Sequence, residues 1–340
     1  MGGKEFNMAV AGATGAVGKV MLEILEKRNF PLKSIKLLAS KRSEGINLEF
    51  RGEGIPVEVL SEDSFKGVDI ALFSAGAARS REFAPSAVAA GAVVVDNSSA
   101  FRMDPRVPLV VPEINPRDIE QHEGIIANPN CTTIITVMPL KPLHDYGKIK
   151  RVVASSYQAV SGAGAQAMEE LRIQTEDFTS GRKSTPRIFP KEIAFNLIPR
   201  IDTVQKNFYT REEIKMVNET RKIMGDKTIR ITCTTVRVPV FRAHAISVNV
   251  ETERKIPRGM AMELIDAFPG CSVMDDPEND RYPTPLFASG RDDCYVGRIR
   301  DDDTVEAGLN FWVVGDQLRK GAALNAVQIA EALVSQVLSS

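Results

Sequence analysis

The opening of the chain already restricts its fold, because an apolar run, a glycine-rich turn, a helix and a second apolar run follow one another without a break. Phe6 to Ala11 reads as a strand, Gly12 to Gly18 as the turn, Lys19 to Lys27 as the helix and Ile35 to Ala39 as the next strand. That sequence of elements is a βαβ unit. Further strand signals fall at Val57 to Leu60, Asp69 to Ser74, Val93 to Asp96 and Ile125 to Ala127, and the alanine-rich Ser80 to Ala90 supplies another crossover helix. Such alternation predicts an α/β domain with a doubly wound, mainly parallel sheet.

Beyond Cys131 the texture changes. Longer β-branched runs, Arg151 to Ala159, Ile229 to Val240, Ala245 to Glu251 and Val305 to Val314, are separated by polar loops and helices, which predicts an α+β domain with a mixed sheet. Asp316 to Leu338 carries apolar residues at helical spacing and reads as one long helix that packs back onto the first domain. The expected division is therefore residues 1–130 with 320–340 as one domain and 131–319 as the other. No internal repeat is evident. Thr179 to Pro190, with Gly181, Pro186 and Pro190, is the candidate for a mobile or partner-contacting loop.

Composition excludes several function classes. Across 340 residues, 43 Lys and Arg balance 44 Asp and Glu, leaving no charge footprint for nucleic acid. No stretch approaches the roughly 20 apolar residues of a membrane span. Met1-Gly2-Gly3-Lys4-Glu5 shows no apolar signal region, so a cytoplasmic location is expected. Cys131, Cys233, Cys271 and Cys294 are widely separated and His122, His144 and His244 are scattered, which argues against a disulfide framework and against a metal site.

Gly12-Ala13-Thr14-Gly15-Ala16-Val17-Gly18 stands between a strand and a helix, the context of a dinucleotide fingerprint, with G-x-x-G-x-x-G spacing. Glycines there let the backbone approach a pyrophosphate, and the helix N-terminus binds its charge. A plain strand-to-helix turn is the alternative. At the end of the second strand, where an NAD enzyme offers Asp or Glu to the ribose hydroxyls, this chain has Ser40, Lys41, Arg42 and Ser43. Hydroxyls and cations suit a 2′-phosphate, hence NADP(H), although a solvated basic turn would look the same.

The candidate chemistry centres on Asn130-Cys131-Thr132-Thr133, where a strand gives way to a helix. Unpaired N–H groups and the positive dipole end favour a thiolate at Cys131. From this segment alone, a small cysteine that merely packs is the commoner outcome. Asp96 to Arg102 follows a strand, so Arg102 lies at the carboxyl edge of the sheet and suits a bidentate phosphate contact or a surface ion pair. Gln158 stands at a strand end before the loop Ser161-Gly162-Ala163-Gly164, able to orient an acyl group while the loop approaches a nicotinamide; a structural turn also explains the glycines. Arg237 can hold a carboxylate and His244 can move protons near neutral pH, or His244 is structural. Glu212 and Lys215 share a helix face, as solvated ion pairs do. A thiol, a histidine, two arginines and a redox nucleotide make one reaction together only if an acyl group is reduced, or an aldehyde oxidised, through a thioester.

With these residues assembled, the chain resembles the aspartate-β-semialdehyde dehydrogenases from end to end, specifically their shorter bacterial-type branch. The matching segments are Gly12 to Gly18, Ala39 to Ser43, Asp96 to Arg102, Val111 to Asn115, Asn128 to Thr133, Tyr157 to Gly164, Arg237 to His244 and Leu318 to Gln328. The resemblance implies a glyceraldehyde-3-phosphate-dehydrogenase-like architecture: a Rossmann-type nucleotide domain and an α+β catalytic and dimerisation domain. It implies a homodimer, with pairing into tetramers left open. It also implies NADPH-linked reductive dephosphorylation of L-aspartyl-4-phosphate, a step that feeds lysine, threonine and methionine synthesis. Cys131 is then the nucleophile, Gln158 its acyl-positioning neighbour and His244 the acid/base. Arg237 holds the substrate carboxylate, Glu212 its amino group, and Arg102 and Lys215 its phosphate. Gly12, Thr14, Gly15, Ala16, Val17, Ser40, Lys41, Arg42, Ser161, Gly162 and Asn325 line the cofactor.

Two rivals differ at readable positions. N-acetyl-γ-glutamyl-phosphate reductases place Pro-Gly before their cysteine, where this chain has Pro129-Asn130. A silent NADPH-binding module would be expected to lack the thiol or the histidine, and this chain has both.

Overall fold

A computed structural model of the chain describes residues 4–339, with side chains to 335. Residues 1–3 and 340, which belong to the expected first domain and in part to the N-terminal segment read above, lie outside the described residues. The chain divides into two compact units, one running up to Asn130 and resuming at Ala322, the other spanning Cys131–Gly321.

The first unit contains β1 (Phe6–Ala11), α1 (Ala16–Lys27), β2 (Leu32–Ala39), β3 (Asn47–Phe50), β4 (Glu53–Val59), β5 (Ile70–Phe73), α2 (Ala77–Ala89), β6 (Val93–Asp96), β7 (Ile125–Ala127) and the C-terminal helix Leu324–Ser339. Its sheet runs β3-β4-β2-β1-β5-β6-β7, parallel throughout except for the antiparallel β3–β4 pair. The central strands are apolar on both faces because both are covered: all four residues of β5 are buried. β1 has β2 on one side and β5 on the other, so chain order reverses at the carboxyl end of β1, the crevice position for ligands in such sheets. α1 turns Val20, Met21, Ile24 and Leu25 into the core, each worth about 1.5–3 kcal/mol of burial. The C-terminal helix packs against α1 and β6, and Arg28 donates through Nε and Nη2, one edge of its guanidinium, to the two carboxylate oxygens of Glu331 at 2.7 and 2.8 Å.

Two expectations change here. The strand placed at Val57 to Leu60 is β4, which begins at Glu53; only Val57–Val59 pairs with β2, while its first half forms a hairpin with β3. The two-residue turn is Arg51-Gly52, both at positive φ of 52° and 78°. An arginine in place of the usual Asn or Asp hid that turn. The helix expected from Asp316 is α-helical only from Leu324, after a π turn over Arg319–Ala323. The buried Asp316 carboxylate takes the N–H of Leu318 at 2.9 Å and of Arg319 at 3.3 Å, so these residues serve as an entry turn.

The second unit contains α3 (Cys131–Gly147), β8 (Ile149–Gln158), α4 (Ala165–Thr179), α5 (Arg211–Ile223), β9 (Arg230–Arg237), β10 (His244–Thr252), α6 (Arg258–Asp266), β11 (Cys271–Val273), β12 (Cys294–Asp302) and β13 (Gly308–Gly315). The strands form a mixed sheet in the order β11-β12-β13-β10-β8-β9. Along β8, buried and half-buried residues alternate from Val153 onward, as expected where one face meets the core. α3, α5 and α6 pack on the sheet. α5 starts at a capping box in which Thr210 and Glu213 bond each other's backbone N–H at 3.3 and 2.7 Å. The irregular segment after α4 is tied back to that helix: the Glu170 carboxylate accepts the N–H groups of Arg187 and Ile188, and Gln174 Oε1 those of Ile193 and Ala194.

Candidate active site

The glycine turn of the first unit is shaped by packing at two of its three glycines. Gly12 sits at φ 92°, and a Cβ there would lie 2.5 Å from the Ser74 carbonyl oxygen; one on Gly18 would lie 2.2 Å from the Gly12 oxygen. Neither position admits a side chain. Gly15 is the N-cap of α1, which has neither a side-chain cap nor an acidic residue in its first turn. The N–H groups around Ala16 and Val17 are thus left for an external anion, and the residues fit a dinucleotide pyrophosphate. Thr14 Oγ1 reaches Ser43 Oγ at 3.3 Å, tying the turn to the end of β2, where Ser40, Lys41 and Arg42 are exposed.

Arg102, in the same unit, is nearly buried and anchored by carbonyl groups at the ends of two strands. Its Nε donates to the Asn128 carbonyl and its Nη2 to the Asn97 carbonyl, both at 2.9 Å. Asn128 in turn donates to Asn97 Oδ1 at 2.6 Å and accepts from Asn325 at 2.7 Å. Asn325 is fully buried and its amide nitrogen also meets the Val110 carbonyl at 2.9 Å. Asp96, at the end of β6, is structural: Ser80 and Ser98 hydroxyls occupy its two oxygens at 2.7 Å each.

In the second unit the register of the sheet gathers the reactive side chains. Gln158 ends β8, Arg237 ends β9 and the two are paired across the ladder. His244 begins β10 opposite Gly315, beside the end of β8. One end of the sheet therefore carries all three. Cys131 is the first residue of α3, and its Sγ lies 3.5 Å from His244 Nε2. The Ala159 N–H donates to His244 Nδ1 at 3.1 Å. With Nδ1 accepting, the neutral ring carries its hydrogen on Nε2, toward the sulfur. Burial holds His244 well below its ordinary range, and the charge of Arg237 acts in the same direction.

Arg237 donates to the Ala159 carbonyl at 2.7 Å. Burial lowers its pKa, opposed by Glu212 and Cys131. Gln158 donates to Glu212 at 3.3 Å, and the other Glu212 oxygen meets the Lys215 ammonium at 3.1 Å. Burial disfavours the charge on Lys215, yet Glu212 and Asp202 outweigh it and raise the amine above its ordinary value. Gly162 is packed tightly: a Cβ would lie 3.0 Å from Arg237 Nη1 and 3.3 Å from the His244 ring. Among the described residues no group of three or more His, Cys, Asp and Glu is arranged for a metal ion.

Sequence reasoning missed four contributors. Ala159 acts through its backbone, which no side-chain pattern reveals. Gln317 accepts the Ala243 N–H at 2.7 Å and donates to the Ser161 hydroxyl, holding Ala243 at φ 70° just before His244. A Cβ on Gly321 would lie 3.0 Å from Cys131 Cβ; its place between Lys320 and the small residues Ala322 and Ala323 was the available signal. Asp202 pairs with Lys215 at 2.9 Å from the irregular segment that leads into α5, where no periodic pattern marks which side chain will turn toward the helix.

Comparison with known proteins now adds to this geometry. Residues 7–122 match the family described as semialdehyde dehydrogenase, NAD binding domain, and residues 140–320 the semialdehyde dehydrogenase, dimerisation domain. An aspartate-semialdehyde dehydrogenase of Aquifex aeolicus is 54% identical over 98% of this chain and 99% of its own length. The chain belongs to the aspartate-semialdehyde dehydrogenase family. Another member, from Bacillus subtilis, is 48% identical over 97% of this chain and 98% of its own. The crystal structure of aspartate semialdehyde dehydrogenase II from Vibrio cholerae superposes with a TM-score of 0.95 at 46% identity, covering 98% of this chain and 99% of that one. Membership of this family agrees with the α/β architecture expected from the sequence, a nucleotide-binding unit followed by an α+β unit. Among the described residues no helix is long and apolar enough to cross a membrane.

Proposed function

We propose that the chain catalyses the NADPH-dependent reductive dephosphorylation of L-aspartyl-4-phosphate to L-aspartate-4-semialdehyde through a thioester on Cys131. The observation that carries this reading is the thiol at the start of α3, 3.5 Å from His244 Nε2. The helix terminus and the Nε2–H both favour the thiolate. Its sulfur attacks the acyl carbon of the substrate as the bond to the phosphate oxygen breaks, and the leaving phosphate takes that electron pair. Arg102 and Lys215 meet the phosphate charge; Arg237 holds the α-carboxylate, Glu212 the α-ammonium, and Gln158 orients the acyl group.

When bound to the glycine turn and the Ser40-Lys41-Arg42 segment, the nicotinamide nucleotide supplies the hydride that reduces the thioester. The oxyanion then formed on the substrate carbon is met by the His244 Nε2–H. Collapse expels the Cys131 thiolate and leaves the aldehyde. A neutral imidazole suits this sequence: as the acid/base, His244 hands its Nε2 proton to the thiohemiacetal oxygen or assists its collapse, and the one proton that the net reaction consumes goes to the departing phosphate. Ser161 and Gly162 are assigned to the nicotinamide end of the cofactor. Asn325, held by the Val110 carbonyl and Asn128, is likewise assigned to contact the nicotinamide.

The same reading assigns a homodimer built through the second unit. Its support is the dimerisation-domain match and the half-buried face of the β8-β10-β13 layer, with Val153, Ser155, Tyr157, Asn310 and Trp312. A place in lysine, threonine, methionine, isoleucine and diaminopimelate synthesis and a cytoplasmic location accompany it.

The test is phosphate-dependent reduction of NADP by the purified chain with L-aspartate-4-semialdehyde, for wild type and Cys131→Ala. Wild type should be active and the variant slower by at least about three orders of magnitude. Activity persisting in Cys131→Ala would sink the thioester. Turnover of N-acetylglutamate semialdehyde in place of the aspartate compound would reassign the substrate.

A further inference from the structure

Of the two cations assigned to the phosphate, Lys215 is already engaged. Lys215 Nζ lies between two carboxylates, Glu212 Oε2 at 3.1 Å and Asp202 Oδ2 at 2.9 Å. One ammonium flanked by two carboxylates has no net positive charge to offer a phosphate. One of them has to yield before Lys215 can add its charge to the phosphate site.

The two carboxylates are not equally placed to do so. Glu212 stands on the same helix as Lys215, is 5% exposed and is held by Gln158 through its other oxygen. Asp202 comes from a loop, and its side chain is 27% exposed. Its backbone sits at φ 69°, a conformation that Asn, Asp and Gly tolerate best. Oδ1 accepts the Thr203 N–H at 2.8 Å, which leaves Oδ2 for Lys215. An Asn would satisfy the backbone equally well, so the turn does not require the negative charge. Stability does not explain it either, because a partly exposed ion pair contributes little.

We propose that Asp202 is a specificity-determining residue for the phosphate. Its carboxylate occupies the Lys215 ammonium when no phosphate is present and is displaced when one binds. The proposal rests on the assignment of Lys215 to the phosphate given above. In the reductive direction the returning carboxylate competes with the product phosphate and speeds its release; in the reverse direction it raises the phosphate concentration needed.

The experiment measures KM for phosphate, aspartate semialdehyde and NADP in the oxidative direction for wild type, Asp202→Asn, Asp202→Gly and Lys215→Gln. Asn keeps the turn and its Thr203 bond; Gly keeps only the φ. Both Asp202 variants are expected to lower KM for phosphate about three- to tenfold, with the other two KM values within about twofold. Phosphate should become a correspondingly stronger inhibitor of the reductive reaction. Lys215→Gln should raise KM for phosphate. If Asp202→Asn leaves it unchanged or raises it while Lys215→Gln raises it, Asp202 only positions the lysine and the proposal is overturned. If Lys215→Gln leaves it unchanged, the assignment of Lys215 falls first and takes the proposal with it.

Discussion

The backbone N–H of Ala159 donates to Nδ1 of His244 at 3.1 Å, and this bond decides how the ring meets the thiol. It leaves Nε2–H as the edge presented to Cys131, able to donate a hydrogen bond toward the sulfur.

His244→Asn is expected to lower kcat about 10²- to 10⁴-fold with a modest change in KM. The buried ring also sets a pH dependence of stability. Burial, with the Arg237 charge, holds its folded pKa well below the ordinary value. Below about pH 6.5 the unfolded chain therefore binds a proton that the folded chain refuses, and stability falls with pH by up to about 1.4 kcal/mol per unit. That loss sets in as pH drops through the unfolded value, continues down to the folded one, and is absent above the unfolded value. Urea unfolding at pH 5 to 8 should show a shallower acid loss in His244→Asn than in wild type; identical slopes would contradict a neutral buried ring.

Gly162→Ala places a methyl group 3.0 Å from Arg237 Nη1 and 3.3 Å from the His244 ring. Arg237 and His244 have to shift to admit it, so kcat/KM should fall about tenfold or more. The melting temperature should move by only a few degrees. Unchanged kinetics would mean that the pocket has slack the distances do not suggest.

Lys41→Ala and Arg42→Ala each remove one cation from the exposed turn after β2. Each is expected to raise KM for NADP by about tenfold and leave that for NAD nearly unchanged. Parallel changes for both nucleotides would remove the 2′-phosphate assignment.

Much of this was legible in the residues. β1, β6 and β7 fall where their apolar runs end, and Cys131 falls on the first residue of α3, because strand runs and helix starts are written in short windows. The β3–β4 hairpin was not legible, since Arg51 takes a positive φ that its residue type does not announce. The helix start at Leu324 was displaced because Asp316, an ordinary first-turn residue by sequence, spends its carboxylate on the backbone ahead of the helix.

The sequence by itself determined the elements and the inventory of chemistry: a glycine turn that only a close backbone approach demands, a cysteine at a helix start, and the arginines and histidine that can serve it. Those follow from local sterics and periodicity. Tertiary structure alone decided which of these groups meet. Gln158 and Arg237 are neighbours because β8 and β9 pair in that register; one residue's slip would send each to the opposite face. The orientation of the His244 ring depends on a backbone N–H that lies 85 residues away. The pairing of Lys215 with Asp202 depends on how the irregular segment ahead of α5 folds back against that helix.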